Sequence, residues 1–199
     1  MKIVIIDCGF GNHENIRAAI SKLGIKFTND IDALDKKDII LIPGVGNFKN
    51  SMDTLKSKKL DKFILDHHKN NGRIVGICLG MQLLFDFGYE GGGCDGLSLI
   101  EGEVSKINKI VKNERPIFGW KKINHLNKKL TEFDKPMYFV HSYSANCKDK
   151  SNIESFYFYQ GRKIISSVKS NNVYGFQFHP ERSAEYGLKI LEKVLNMNF

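Results

Sequence analysis

A tight turn around one cysteine constrains the fold of this chain more than any other segment. Residues 74–77 are a short apolar run that predicts a buried strand, and residues 81–87 predict the start of a helix. The turn between them has the sequence Gly76-Ile-Cys78-Leu-Gly80. Glycines permit a tight, strained turn because they carry no Cβ atom. Such an elbow would hold the Cys78 sulfur near the positive end of a helix, which favours the thiolate, although an ordinary buried cysteine is the alternative.

The length and composition suit one soluble domain over residues 1–199, long enough to bury a core. No apolar run approaches the ~20 residues that span a bilayer, so no membrane partner is expected. The first seven residues become acidic too soon for a signal peptide and predict a strand instead. We therefore expect a cytoplasmic protein.

The cysteines and the charge exclude several classes of function. Cys8, Cys78, Cys94 and Cys147 are scattered without a C-x-x-C pair, which argues against a zinc site and a disulfide framework. No metal is expected, and Cys8, Cys94 and Cys147 acquire no role. The net charge of +8 is dispersed in short lysine clusters. It favours solvation or an acidic partner protein over nucleic acid.

The order of the periodic segments predicts an α/β fold. Apolar runs at residues 2–7 and 38–43 suit parallel strands that are buried on both faces. Helices are predicted over residues 14–23, 52–71 and 183–197, with a short strand at 25–29. Six further segments show β-type alternation, which favours antiparallel additions; they are residues 97–107, 116–123, 137–143, 155–159, 163–168 and 173–178. The prediction is a three-layer open mixed sheet, mostly parallel, with helices on both faces.

Three glycine-rich stretches lack a specific phosphate-binding motif. Gly9-x-Gly11-x-x-Glu14 misses the third glycine of the dinucleotide fingerprint, so no cofactor is expected. The stretch 88–96 lacks the Lys-Ser/Thr of a P-loop and predicts a mobile surface loop. Pro43-Gly-Val-Gly46 leaves backbone N–H groups free to face a negative group, but taken alone it is more typical of a plain loop.

A histidine and a glutamate follow the last predicted strand as His179-Pro-Glu181. In an extended chain, residues two apart point to the same side, and Pro180 stiffens the chain between them. A nucleophilic thiol needs a base, and the base needs a partner that fixes its tautomer. Cys78, His179 and Glu181 fit these three roles, although a lone histidine at a strand end is more often structural.

Taken together, these motifs resemble those of the triad (class I) glutamine amidotransferases. The resemblance covers essentially the whole chain, because Pro43-Gly-Val-Gly46, Gly76-Ile-Cys78-Leu-Gly80-Met-Gln82 and His179-Pro-Glu181 occur in the family's order and spacing. Within the family it is closest to the glutaminase subunits of imidazole glycerol phosphate synthase. The segments that carry this closer resemblance are Gly46-Asn-Phe48, Met81-Gln82-Leu-Leu-Phe85, Gly96-Leu-Ser-Leu-Ile100, Gly119-Trp120 and Phe139-Val-His141-Ser-Tyr143.

The resemblance implies hydrolysis of L-glutamine by acyl transfer. Cys78 would attack the side-chain carboxamide, and His179 would protonate the leaving ammonia and then activate water. The oxyanion would be stabilised by backbone N–H groups, which by resemblance are those of Leu79 and of Gly44, Val45 and Gly46. The glutamine-binding positions would be Gln82, His141, Ser142 and Tyr143. His141 is equally compatible with a hydrogen-bonded structural histidine.

The resemblance also implies a partner, since ammonium in water is not a nucleophile and ammonia must be handed over directly. In the family the acceptor is a (β/α)₈-barrel cyclase subunit, and Trp120, Lys121 and Arg182 fall in segments near that interface. The chain departs from the family pattern at Cys8, Ile117, Lys121 and Arg182. Because of these departures, the alternative is that the chain supplies ammonia to another acceptor enzyme, such as a sugar amidotransferase for surface glycans. The complete triad argues against a non-catalytic protein on this scaffold. Gln82 and the Gly44–Gly46 loop argue against a cysteine peptidase or amidase.

Overall fold

An eight-stranded mixed sheet forms the centre of the molecule. The computed structural model describes residues 2–7, 13–32, 34–107 and 116–197, so Cys8 and the turn at residues 9–12 lie outside the described chain. The strands of this sheet are, in spatial order, β2 (Phe27–Thr28), β1 (Ile3–Ile5), β3 (Ile39–Ile42), β4 (Arg73–Ile77), β14 (Val173–Phe176), β13 (Arg162–Ser170), β12 (Ile153–Tyr159) and β9 (Asn124–His125).

The sheet changes character at β14. The strands from β2 to β14 pair in parallel, whereas β14–β13, β13–β12 and β12–β9 are antiparallel pairs. A mostly parallel sheet with antiparallel additions is therefore confirmed. The change of direction matters because β14 lies beside β4, so that the chain leaving β14 emerges next to the chain leaving β4.

Helices cover both faces of the sheet. Helices α1 (His13–Lys22) and α5 (Ala184–Asn196) pack on one face, and α2 (Phe48–Ser57) and α3 (Leu60–Lys69) on the other. Alternate residues of β1 divide between these two cores, Ile3 and Ile5 facing α1 and Val4 facing α2. The three-layer prediction is confirmed. The single helix predicted over residues 52–71 is wrong, because Lys59 adopts a left-handed φ of 59° and separates two helices.

The remaining strands form two smaller sheets rather than extending the main one. In one of them, β8 (Ile117–Lys122) and β10 (Pro136–His141) form an antiparallel pair. The other small sheet has the order β11 (Tyr143–Cys147), β7 (Ile100–Lys106), β5 (Phe85–Gly88) and β6 (Cys94–Asp95). The helix predicted over residues 81–87 is therefore wrong beyond its first turn. The helix α4 spans only Leu79–Gln82, after which the buried Phe85 pairs with Ile100 in parallel.

The stretch 88–96 is also more ordered than the sequence predicted. It holds a short 3₁₀ turn at Glu90–Gly92 and strand β6, and Glu90 is tied to α2 by a hydrogen bond to the N–H of Phe48. The stretch lies at the surface, as expected, but it contains regular structure that the sequence did not predict. In the parts of the chain that the structure describes, no helix has the length and apolar character needed to cross a membrane.

Candidate active site

Cys78 occupies a strained elbow between β4 and α4. Its φ of 54° and ψ of −109° lie in a region that residues other than glycine rarely adopt. The flanking glycines are required by space. A Cβ atom on Gly80 would lie 1.8 Å from the carbonyl oxygen of Ile42, and one on Gly76 would lie 2.6 Å from that of Gly80. The elbow predicted from the glycine–cysteine–glycine pattern is confirmed.

His179 and Glu181 meet directly beside this elbow. The N–H of Cys78 donates to the carbonyl oxygen of Phe176 across 2.6 Å, which joins the elbow to the end of β14. Three residues later, His179 Nδ1 lies 2.8 Å from Glu181 Oε1, and both side chains are about 95% buried. They converge through a 3₁₀ turn at Pro180–Arg182, not through extended chain as the sequence argument supposed.

The other ring nitrogen of His179, Nε2, is available to interact with the Cys78 sulfur. Within the described residues, Nε2 is buried and has no hydrogen-bond partner. Burial lowers the pKa of His179, but a Cys78 thiolate and the Glu181 carboxylate together outweigh it and raise the pKa to about 10. The arrangement therefore favours an imidazolium beside the Cys78 sulfur, with the Glu181 carboxylate accepting from Nδ1–H.

Two residues that the sequence argument missed hold His179 in place. The N–H of His179 donates to the carbonyl oxygen of Tyr138 at 2.9 Å. The Ser183 hydroxyl donates to the carbonyl oxygen of His179 at 2.6 Å and accepts from the N–H of Tyr138 at 2.9 Å. A serine at the start of the predicted final helix is a recognisable signal, since serine is common at the first position of a helix as its N-cap. Here its hydroxyl bonds His179 instead of capping α5.

The glycine loop after β3 packs against the elbow. The N–H of Leu79 donates to the carbonyl oxygen of Gly44 at 3.4 Å, so the structure brings together two of the residues expected to line an oxyanion site. A carbonyl, not an N–H, faces the elbow in this conformation. Val45 and Gly46, next in the loop, are exposed, and Gly46 has a φ of 135°. Because this hydrogen bond is long, it is a weak one.

The side-chain amides of Gln82 and Gln177 form a buried pair next to the Cys78 sulfur. Gln82 Nε2 donates to the carbonyl oxygen of Tyr143 and to Gln177 Oε1, both at 3.0 Å. Gln177 Nε2 in turn donates to Cys78 Sγ at 3.8 Å. The structure therefore brings together Gln82 and Tyr143, two of the positions expected to bind glutamine. Gln177 was missed by the sequence argument, although a polar residue between two buried phenylalanines is a visible signal.

Both ring nitrogens of His141 are engaged within the protein. Nδ1–H donates to the carbonyl oxygen of Tyr143 at 2.8 Å, and Nε2 accepts from the Tyr157 hydroxyl at 2.9 Å. Burial lowers the pKa of His141 to about 4, since the hydrogen bond to Tyr143 offsets it only in part and the charge of His179 adds to it. The ring is neutral with no nitrogen left for a ligand, which supports the structural interpretation. Ser142 is half-buried, and its backbone carbonyl oxygen accepts from the N–H of Ile107 at 2.9 Å.

Part of the expected partner surface forms one cluster, which we call the aromatic patch. Phe118 and Trp120 are 66% and 51% exposed, and their rings lie 5.7 and 5.9 Å from the ring of Tyr138. Arg182 stacks over the same ring at 4.5 Å. The aromatic patch thus consists of Phe118, Trp120, Tyr138 and Arg182.

Two of the positions at which the chain departs from the family pattern do not join the aromatic patch. Lys121 follows Trp120 on β8 but points to the other side of the strand, where its Nζ lies 5.9 Å from the centre of the Tyr159 ring. Ile117 is only 1% exposed and belongs to the core. Of the predicted interface residues, Trp120 and Arg182 are therefore brought together, and Lys121 is not.

Known proteins share the sequence pattern and the fold of this chain. Residues 4–197 match the family "Glutamine amidotransferase class-I". The chain is 40% identical over 201 residues to "Imidazole glycerol phosphate synthase subunit HisH" of Lactococcus lactis, with 98% of each chain covered. It is 37% identical to the protein of that name from Staphylococcus aureus strain RF122, with 99% of this chain and 98% of that protein covered.

Solved structures are similar in fold at low sequence identity. "PurLQS from Thermotoga maritima" superposes with a TM-score of 0.73 at 20% identity, covering 98% of this chain and 97% of that one. The glutaminase domain of Trypanosoma brucei CTPS, with bound acivicin, gives a TM-score of 0.62 at 13% identity, with 100% and 95% covered. The chain belongs to the class I glutamine amidotransferase family, and it is an enzyme of that class.

Proposed function

We propose that this chain is a glutaminase subunit that hydrolyses L-glutamine to glutamate and ammonia and passes the ammonia to a partner synthase. The observation that carries the proposal is the meeting of a strained Cys78 with the buried His179–Glu181 pair at the ends of two adjacent parallel strands. A buried histidine with one nitrogen on a carboxylate and the other unpartnered beside a thiol is suited to nucleophilic catalysis.

The proposed reaction proceeds through a thioester. The Cys78 thiolate attacks the side-chain carboxamide carbon of glutamine, and the carbonyl oxygen gains the negative charge. The C–N bond breaks as imidazolium His179 gives its Nε2 proton to the leaving nitrogen, releasing ammonia. Neutral His179 then takes a proton from a water that attacks the glutamyl thioester, and glutamate leaves as the thiolate reforms. Glu181 keeps the same ring tautomer and stabilises the imidazolium at both stages.

The tetrahedral oxyanion needs backbone donors, and we assign this role to Leu79 and to the loop of Gly44, Val45 and Gly46. Oriented N–H groups at such a site supply a large part of the rate enhancement of acyl transfer. The Leu79 N–H is held by the Gly44 carbonyl at 3.4 Å. Activity therefore requires that this weak bond open and that an N–H of the loop replace the carbonyl. Glutamine binding is assigned to Gln82 with the backbone of residues 141–143.

The most suitable acceptor is the cyclase subunit of imidazole glycerol phosphate synthase, a (β/α)₈ barrel, which places the chain in histidine biosynthesis in the cytoplasm as part of a heterodimer. Two full-length relatives that carry this synthase name support the choice. The aromatic patch is the proposed contact surface. It is exposed, and Tyr138 within it hydrogen-bonds the backbone of His179, so a partner docked there would lie next to the site where ammonia forms.

A second acceptor, such as a sugar amidotransferase for surface glycans, is the alternative. The departures from the family pattern at Ile117, Lys121 and Arg182 motivate it. Their positions weaken it, since Ile117 is in the core, Lys121 packs on Tyr159, and only Arg182 lies in the aromatic patch, where it keeps the positive charge. We therefore favour the cyclase.

Glutamate release from glutamine, with and without the cyclase subunit of the same organism and its nucleotide substrate, tests the proposal. We expect strong stimulation by the loaded cyclase in the native chain and no release from Cys78→Ala in any condition. The matched control is Cys94→Ala, which removes a free thiol away from the elbow. Release by Cys78→Ala would overturn the triad mechanism. If a glutamine analogue labelled Cys78 but the cyclase did not stimulate glutamate release, the result would favour the second acceptor.

A further inference from the structure

Gln177 is a polar side chain buried in an aromatic surrounding. It lies between Phe176 and Phe178, and all three are fully buried. Its backbone N–H donates to the carbonyl oxygen of Ser166 at 2.9 Å, which fixes it at the end of β14. A primary amide taken out of water without hydrogen bonds is costly, so its partners indicate what it does. Those partners are Gln82 and the sulfur of Cys78.

The direction of the hydrogen bonds follows from the acceptor at one end. The carbonyl oxygen of Tyr143 can only accept, so Gln82 must turn its nitrogen toward it. The second N–H of that nitrogen reaches Gln177, which must therefore present its oxygen to Gln82. As a consequence, the amide nitrogen of Gln177 faces Cys78 Sγ. This series of hydrogen bonds ends with an N–H group of Gln177 that donates to the Cys78 sulfur.

The same series of hydrogen bonds is anchored in the core at its other end. The carbonyl oxygen of Tyr143 also accepts from His141 Nδ1–H, and His141 Nε2 accepts from the Tyr157 hydroxyl. Tyr157 is completely buried beneath Phe139. Every member between Tyr157 and Gln177 thus has a fixed orientation, and a connected buried network of this kind rigidifies what it touches.

We propose that Gln177 is a positioning residue that holds the Cys78 sulfur and sets the orientation of Gln82. An N–H donor stabilises a thiolate more than a thiol, whereas the alternative partner of Sγ, the carbonyl oxygen of Val140 at 3.8 Å, can only accept from a thiol. Because both N–H groups of Gln82 are engaged, its orientation depends on the acceptor oxygen that Gln177 presents to it. This inference rests on the proposed glutaminase function.

Two substitutions separate the hydrogen bond from the volume of the side chain. Gln177→Glu keeps the shape and can still accept from Gln82, but it places a negative oxygen against the sulfur. Gln177→Met fills similar space and makes neither hydrogen bond. Gln160→Glu, an equal charge change at an exposed turn after β12, is the matched control.

The first readout is the pH dependence of Cys78 labelling by iodoacetamide, followed on the Cys78 peptide by mass spectrometry. It needs no turnover and no partner. In Gln177→Glu we expect the pH of half-maximal labelling rate to rise by at least about one unit, because a like charge disfavours the thiolate. Gln160→Glu should match the native profile. An unchanged profile in both Gln177→Glu and Gln177→Met, the second of which offers the sulfur no donor at any pH, would overturn the proposal and leave Gln177 as a filler of the core.

The second readout is the kinetics of glutamate release with the cyclase present. In Gln177→Met we expect the KM for glutamine to rise roughly tenfold as Gln82 loses its fixed orientation, beyond any change in kcat. A loss confined to kcat or to thermal stability would contradict the assigned effect on Gln82. If the native chain released no glutamate with any acceptor, the proposed function would fail, but the labelling profile would still decide whether Gln177 holds the sulfur.

Discussion

The backbone N–H of Leu79 donates to the carbonyl oxygen of Gly44, at a distance of 3.4 Å. The donor best placed for an oxyanion is thus engaged by the loop that is expected to supply the other donors. The loop lies so close to the elbow that only glycine fits at position 44, because a Cβ atom there would lie 2.8 Å from the backbone nitrogen of Gly80. Rotation of a peptide unit within the loop is the change that exchanges a carbonyl for an N–H without moving the chain.

Val45→Pro tests the loop, because proline has no N–H to offer. We expect kcat for glutamate release to fall by roughly a hundredfold or more, with little change in KM. Val45→Ala is the control, since Val45 is 42% exposed and its truncation costs little packing. Equal kcat values for the two variants would show that the N–H of Val45 takes no part.

The ionisation of His179 should depend on its neighbours. Its pKa is raised to about 10 although burial alone would lower it, and the largest opposing cause is the negative Cys78 sulfur. In Cys78→Ala we therefore expect a pKa well below the native value, measured by NMR titration of the ring. A value equal to that of the native chain would mean that the thiolate is not the cause.

The same shift has a consequence for stability. Because the pKa in the folded state exceeds the ordinary value of 6.5, folding favours the protonated ring. This stabilisation is complete below about pH 6.5 and is lost as the pH rises toward 10. Denaturant titrations should therefore show a decline in the free energy of unfolding across this range that is smaller in Cys78→Ala.

His141 should act in the opposite direction. Its pKa is lowered to about 4, so the unfolded chain takes up a proton at mildly acidic pH that the folded chain refuses. Stability from this group is complete above about pH 6.5 and is lost as the pH falls toward 4. Between pH 7 and pH 5 we expect a loss of about 2 kcal/mol in the free energy of unfolding from this histidine.

The comparison of His141→Asn with the native chain isolates that loss. The variant should be less stable at pH 7, because Tyr157 loses its acceptor, but its stability should decline less on acidification. His68→Asn serves as the control, since burial also lowers the pKa of His68 but that side chain is only half-buried. Identical acid slopes for the native chain and His141→Asn would contradict the assignment.

The aromatic patch should govern the response to the partner. Arg182→Glu reverses the charge that stacks on Tyr138, and we expect roughly a tenfold loss in the stimulation of glutamate release by the cyclase, with the thermal midpoint nearly unchanged. Arg162→Glu, at an exposed position of β13, should leave the stimulation intact.

Lys121→Glu distinguishes the two sides of β8. If only the side of Trp120 meets the partner, this variant should behave like Arg162→Glu, because Lys121 lies on Tyr159. A loss equal to that of Arg182→Glu would place Lys121 in the interface, as the family resemblance implied.

The sequence predicted the parts of the site that depend on neighbours along the chain. The elbow around Cys78 and the His179–Glu181 pair are local motifs, and both form. The contacts of Ser183 and Gln177 were not predicted because each joins segments that only the folded sheet brings together. A polar residue in an apolar run signals that a partner exists, but it does not identify the partner.

The incorrect and undecided predictions also depend on contacts between distant segments of the chain. The apolar residues Leu83, Leu84 and Phe85 suit a continued buried helix, but the chain turns after Gln82 and Phe85 begins a strand that pairs with β7. The two roles left open for His141 were equally compatible with its position before Ser142. The hydroxyl of Tyr157, sixteen residues along the chain, supports the structural role because it occupies the second ring nitrogen.

The position of β14 beside β4 also bears on the synthesis of the protein. A chain that grows on the ribosome exposes the Cys78 thiol well before His179 and Glu181 emerge. The edge of β4 that receives β14 stays unfilled until then, and Cys78 lacks the backbone acceptor at Phe176 that closes the elbow. The growing chain therefore exposes the Cys78 thiol before the histidine and glutamate that lie beside it in the folded sheet have been made.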